Sequence, residues 1–537
     1  MIKRVGFVAC FTFVMLLAGC GKGNFSQQES QGKSNVFRYP IFHSPTTLDP
    51  ADVQDGDTID CLQNIYEGLV GWGPDNKVVP LMAESWDIKD GGKAYIFHLR
   101  KGVKFTNGRE ATADDFKWTL NRNCSHTFAS PVVNDYLDDI AGFHDYNDGK
   151  TNELPGVKVI DPYTLEIDIT APRPYFLMKL TYLDAAVLCK EAIKPGEHIK
   201  SMDEMVATGP FQCTEFVPDQ IIGMTANKNY HGGAPLVDKI ERPVLPDAAT
   251  RLNKYKSGEI DLVQLERQDV TTLQQDATYK DQLHFFDRAA IFYVGLNQKS
   301  QPAFAGESGR HLRRAIAMAI DRNTIVNQIL GGLVTVADGI LPPSVLGHRD
   351  KTAMLPFDVT AAKKELALAG YSDPTKVPEL VIQYRSDRQD YKIVAEAVQS
   401  QLQTNLGVKV SPLMVDWTAY LKIWDEGKIG FFHMRWAADY LDPQDFLSTM
   451  LATYGNEDRG LNYSNPQFDA LCKAADAEPV ETKRLALYAQ AEDLALQDAP
   501  WVPIYFQRDA ELISPRVSGI RDSVFGHLPH TTVKLAQ

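Results

Sequence analysis

Arg435-Trp436-Ala437-Ala438-Asp439-Tyr440-Leu441-Asp442-Pro443, closed by Phe446, is the stretch that decides how this 537-residue chain folds. A carboxylate set among large aromatics is costly unless a cation meets it, and the ammonium group of a ligand would serve as that cation for Asp439. The run before it, Ile429-Gly430-Phe431-Phe432-His433-Met434, alternates too little for an exposed edge. It predicts a buried strand ending near Trp436, from which a loop presents Asp439 to a cleft. Other uses of the same residues stay open. Asp439 also suits a structural salt bridge or a helix cap, Trp436 suits core packing, and His433 suits a hydrogen-bonded strand histidine. Arg435 suits a surface charge, a carboxylate clamp or a salt bridge that closes a cleft.

The amino terminus points to an exported chain. Lys3 and Arg4 precede an apolar core from Val5 to Leu17, and Leu17-Ala18-Gly19 offers small residues for cleavage before Cys20. Gly21 to Ser34, rich in Gly, Ser, Gln and Lys, has almost nothing to bury and reads as a tether. No later stretch approaches the roughly 20 apolar residues that span a bilayer. About 500 further residues are enough for two or three cores. A formal net charge of -14 argues against nucleic acid. Cysteines 61, 124, 189, 213 and 472 form no C-x-x-C pair, so neither a zinc site nor a redox motif is supported, and with an odd number at least one thiol stays free.

Periodicity predicts a strand over 35–42, a helix carrying Ile59, Leu62, Ile65, Tyr66 and Leu69, and a strand over 94–100. Thr112 caps a helix holding Phe116 and Leu120, and strands follow over 157–160, 164–169, 221–226 and 239–244. Farther on, helices over 312–320, 322–330, 359–369, 391–406 and 483–496 alternate with strands over 380–384 and 408–414, the sign of a βα lobe with a mixed sheet. A late apolar strand, 501–506, returns to a first lobe and makes that lobe discontinuous.

Several blocks together resemble the large solute-binding lipoproteins of peptide-importing ABC transporters, extracellular solute-binding protein family 5. They are Thr47-Leu48-Asp49-Pro50, Ile65 to Val70, Pro80 to Trp86, Phe97 to Phe105 and Thr112 to Phe116. Gly209-Pro210-Phe211, Tyr255 to Asp261, Arg313-Arg314-Ala315-Ile316 with Asp321-Arg322, and the Trp436 to Phe446 run support them. The resemblance implies an α/β, periplasmic-binding-protein-like fold of the type II, three-lobed class, with ligand enclosed between two hinged lobes. It implies a signal over 1–19 with lipidation of Cys20, a tether over 20–34, lobe I from 35–70, 205–290 and 499–537, lobe II from 71–204 and lobe III from 291–498. Asp439 would hold the α-ammonium of a short peptide beside Trp436, while the backbone around Arg435 and Ala437 pairs with the extended ligand by strand addition. Trp417 matches a pocket tryptophan, and Tyr136 a tyrosine from the opposing lobe. In the oligopeptide binders arginines receive the peptide carboxylate. Here Trp424 and His433 stand at those positions and Arg435 appears instead, which leaves peptide length open. The implied partners are short peptides, ABC permease subunits and a membrane reached through the lipid. The chain would act as a monomer without cofactor, and other family solutes, nickel complexes or sugars, are the alternative, as is a signalling or adhesion lipoprotein.

Secreted hydrolases are the rival class, but G-x-S-x-G, H-E-x-x-H and a phosphate-binding glycine loop are absent from the sequence. His527 and His530 form H-x-x-H with no acid nearby in sequence and read as incidental. The Asp114-Asp115 and Asp138-Asp139 pairs read as helix caps or solvent-facing charges.

Overall fold

Two long strands, Leu283–Leu296 and Trp501–Ile513, pair antiparallel at the middle of a mixed seven-stranded sheet. Spatial order runs Leu262–Gln264, Trp501–Ile513, Leu283–Leu296, Phe431–Ala437, Leu380–Arg385, Val410–Val415, and Thr335–Val336 is added on Trp501–Ile513. The parallel pairings in this sheet are those of Leu380–Arg385 with its two neighbours, Val410–Val415 and Phe431–Ala437. This computed structural model describes residues 35–536 apart from 195, 387 and 456–459. The signal segment, Cys20 and the tether lie outside the described residues, whereas residues 35–536 belong to one packed unit.

Two four-stranded sheets complete the frame. One is antiparallel, in the order Ala83–Lys89, Ala94–Leu99, Thr164–Asp168, Val157–Asp161. The other places Val36–Arg38 parallel to Lys239–Pro243, followed by Ile221–Ala226 and Phe211–Val217. Apolar side chains gather in separate clusters: one on each face of the seven-stranded sheet, one on each smaller sheet and a minor one around Leu252 and Leu512. The α/β class expected from the alternating pattern is observed, and no described helix is long and apolar enough to cross a membrane.

Local expectations fail where burial comes from tertiary packing. The helix predicted through Leu69 is Gly56–Leu62. Asn64 Nδ2 donates back to the Asp60 carbonyl, the chain turns, and Ile65, Tyr66 and Leu69 are buried from irregular backbone. The 322–330 helix is a π-helix over Thr324–Ile329. Asp139 is neither a cap nor solvated: with Asp138 it receives the buried Lys179 ammonium at 2.7 and 2.8 Å. The five cysteines among the described residues are all buried and form no disulfide with one another.

His527 has acids beside it after all, because folding brings them. Its ring lies 2.8 Å from Glu511 and 3.0 Å from Asp522, next to Arg288, which reaches Asp509 at 2.7 Å and Asp522 at 2.9 Å. Burial opposes the charged imidazole, but Glu511 and Asp522 outweigh it and lift the His527 pKa to about 10. The folded state therefore holds a proton that the unfolded chain releases near its ordinary pKa of about 6.5. Stability from this group is complete below that pH and lost as pH rises through about 10, a fall on the order of a few kcal/mol. Chemical denaturation at pH 7 and at pH 10 should show this slope in the natural protein and a flatter one in His527→Gln.

Candidate functional site

Phe431–Ala437 obeys the period-two rule of a strand, which sends Arg435 and Trp436 to opposite faces of the sheet. Phe431 joins the cluster on one face, and Phe432, Met434 and Trp436 join that on the other. Along its full length the strand pairs with Leu283–Leu296, Arg435 opposite Phe292 and Ala437 opposite Ala290. On the other side only Phe431 and Phe432 pair with Leu380–Arg385. Residues 433–437 therefore have no strand paired on that edge among the described residues.

Beyond Ala437 a short network fixes the loop. The Ala438 N–H donates to the Ala289 carbonyl at 2.7 Å. Asp445, 1 % exposed, accepts from the Asp439 N–H at 3.1 Å and from Trp436 Nε1 at 3.3 Å. Asp442 caps the short helix Pro443–Phe446 by accepting from the Gln444 N–H, and Arg484 clamps it at 2.7 and 2.8 Å. Held this way, Asp439 presents its carboxylate at a seam. The next residue, Tyr440, packs into the cluster built from residues 69–189, its ring 6.0 Å from Tyr175. From the same side Tyr136 stacks on Tyr182 with centroids 3.8 Å apart, and Tyr182 Oη donates to the Val53 carbonyl. Burial first, then the charge and hydrogen bond of Asp439, push the Tyr136 hydroxyl well above its ordinary pKa. Asp439 thus faces a neutral phenol that donates to it.

On the opposite face of the strand, burial and then the Arg388 and Arg385 guanidiniums pull the Arg435 pKa below its ordinary value. Tyr391, whose own charge would favour it, lies close by, and Phe292, Tyr391, Tyr505, Arg388, Gln507 and Asp509 line a cavity on that side. Trp417, first residue of the helix Trp417–Asp425, carries the Arg385 guanidinium 3.3 Å above its ring. His433 is wholly buried beside Phe292 and Tyr391, and burial lowers its pKa to about 3, so it is a neutral ring behind the wall. Trp424 is likewise core.

Asp439, Trp436 and Tyr136 thus meet at one place, the Ala437 backbone lies alongside, and Arg435 and Trp417 bound neighbouring walls. Three contributors were missed from sequence. Asp445 sits three residues after a capping Asp, where an acid in the first helical turn carries its own sufficient explanation. Tyr182 is 46 positions from Tyr136 with no periodic link, and Arg385 ends a strand whose partner helix begins beyond residue 415.

The profile of the bacterial extracellular solute-binding proteins, family 5, middle region, matches residues 77–458. The chain is 31% identical over 503 residues to the probable deoxycholate-binding periplasmic protein YgiS of Escherichia coli, 90% of each chain being covered. It is 29% identical over 498 residues to the dipeptide-binding protein DppE of Bacillus subtilis, covering 90% of this chain and 89% of that one. The crystal structure of a periplasmic oligopeptide-binding protein from Borrelia burgdorferi superimposes with a TM-score of 0.83 at 27% identity, over 93% of this chain and all of the other.

Asp445→Ala removes the acceptor of the Asp439 amide without touching the cleft face. Hydrogen exchange should show that amide losing protection at least tenfold, about 1–3 kcal/mol of local opening.

Proposed function

The chain belongs to the bacterial extracellular solute-binding proteins of family 5, and on that premise we propose that it captures short peptides by their amino end for import through an ABC permease. The strand edge over 433–437, unpaired by the sheet and running into Asp439, carries this reading. An extended peptide added along that edge satisfies backbone groups whatever its sequence, and its α-ammonium meets Asp439. Trp436 and Trp417 supply apolar wall for side chains, with Tyr136 on the opposing lobe.

The lobes, with boundaries at 70, 204, 290 and 498, close over the ligand, and water leaving the seam strengthens the ion pair at Asp439. The role is capture and delivery, with no catalytic step. Lipid on Cys20 anchors the mature monomer at the outer face of the cytoplasmic membrane or in the periplasm, within reach of the permease. Affinity near micromolar, about -8 kcal/mol, would hold a hinge closed and still permit unloading.

A second reading is favoured by one feature: the Arg385 guanidinium spread over Trp417, with Arg435 near, suits an amphipathic anion as well as a peptide's carboxyl end. A 31% identical relative is named for deoxycholate.

Native mass spectrometry with a tripeptide, its amino-acetylated form and deoxycholate separates the two. The tripeptide should bind, with acetylation or Asp439→Asn weakening it at least tenfold. Equal binding of both forms would remove the amino anchor, and deoxycholate binding alone would move the chain to the second reading.

A further inference from the structure

Asp338, His348 and Asp350 come together in the segment that follows Thr335–Val336, one ligand atom from each lying within 4.8 Å of the others. His348 Nδ1 is 2.8 Å from the Leu341 carbonyl. A carbonyl can only accept, so Nδ1 carries a hydrogen, and Nε2, 3.6 Å from Asp350, is the nitrogen that can ligate. A carbonyl fixing the distal nitrogen is the arrangement that orients metal-binding histidines. Asp338 Oδ1 is shut off from solvent and accepts no hydrogen bond among the described residues. One imidazole and two carboxylates therefore converge, and one of the carboxylate oxygens is buried without a partner, an arrangement that favours a bound cation.

Among the described residues no Lys or Arg is ion-paired with Asp338 or Asp350. Arg349, between two of the three residues, turns away to Glu492 at 2.8 Å and Asp493 at 2.6 Å. A second group with similar spacing, Asp49, Asp52 and His198, differs on this point, since the Arg122 guanidinium already pairs with Asp49 at its centre.

We propose that Asp338, His348 Nε2 and Asp350 bind a divalent transition-metal ion, Zn2+ by the match of one imidazole and two carboxylates, with water completing the shell. Its place in the fold gives the ion a structural role. Two residues before His348, the Leu346 N–H donates to the Leu441 carbonyl at 3.3 Å, on the loop that presents Asp439. The ion would tie both ends of the 338–350 loop together and so brace the ligand loop from behind.

The purified protein, stripped with chelator, would be dialysed against one equivalent of ZnCl2 and its zinc counted by mass spectrometry, with the thermal midpoint recorded alongside. The expected result is one zinc per chain and a rise of several degrees. Both should be lost in His348→Ala and in Asp350→Asn. Asp350 is exposed, its side chain 97% accessible, so its variant should fold as the natural protein does. His198→Ala should keep the zinc. Absence of zinc in the natural protein, retention in the His348 and Asp350 variants, or loss with His198→Ala would each overturn the assignment.

Discussion

The pairing of Leu283–Leu296 with Trp501–Ile513 is the constraint on which the other parts depend. These strands are far apart in sequence, and each is long enough to serve more than one cluster. Their register breaks between Asp287 and Ile291, and Arg288 occupies the break, 8% exposed, with Asp509, Glu511 and Asp522 around it. A guanidinium that deep is tolerable only if fully ion-paired, so the carboxylates of 501–513 and of the carboxyl-terminal ribbon, in which Asp522–Ser523 pairs with Gly526–His527, are fixed with it. The central ladder, the end of the chain and the strand carrying the site are in this way placed by one buried charge cluster.

The site inherits its geometry from that ladder. Phe431–Ala437 lies against Leu283–Leu296 throughout and outruns Leu380–Arg385, leaving a backbone edge that leads to a carboxylate. Asp445 then does for Asp439 what a second carboxylate can do without competing for a cation: it accepts the amide and the indole N–H, and orients the loop. Tyr136 supplies a neutral donor from across the seam.

Patterns carried by local chemistry were legible in the sequence. The buried strand before Trp436, the Thr112 cap and the helix Val359–Leu368 follow from period and capping alone. Convergence was not. Ile65, Tyr66 and Leu69 have helical spacing because tertiary walls, not a helix face, bury them. His527 looked isolated because Glu511 and Asp522 approach through ladder and ribbon rather than through spacing. Arg435 and Trp436 are neighbours in sequence, yet adjacency on a strand means opposite faces, and His433 shares the face of Arg435.

The seam itself explains why a carboxylate rather than an apolar pocket suits capture followed by release. Tyr440 and Tyr175 give the two sides a contact that buries apolar surface, whereas the worth of a charge pair at Asp439 depends on how much water remains around it. On the proposed role, Asp439 in an open cleft would be hydrated and an arriving ammonium would gain little. With it closed, the same pair would sit among Tyr136, Tyr182 and Trp436 in a much poorer solvent. Closure and binding would then strengthen one another through a single interaction, and an opening of the hinge would weaken it at once. An apolar pocket of equal affinity would lack that coupling, because the free energy of burying hydrocarbon follows contact area and changes little with the polarity beyond it.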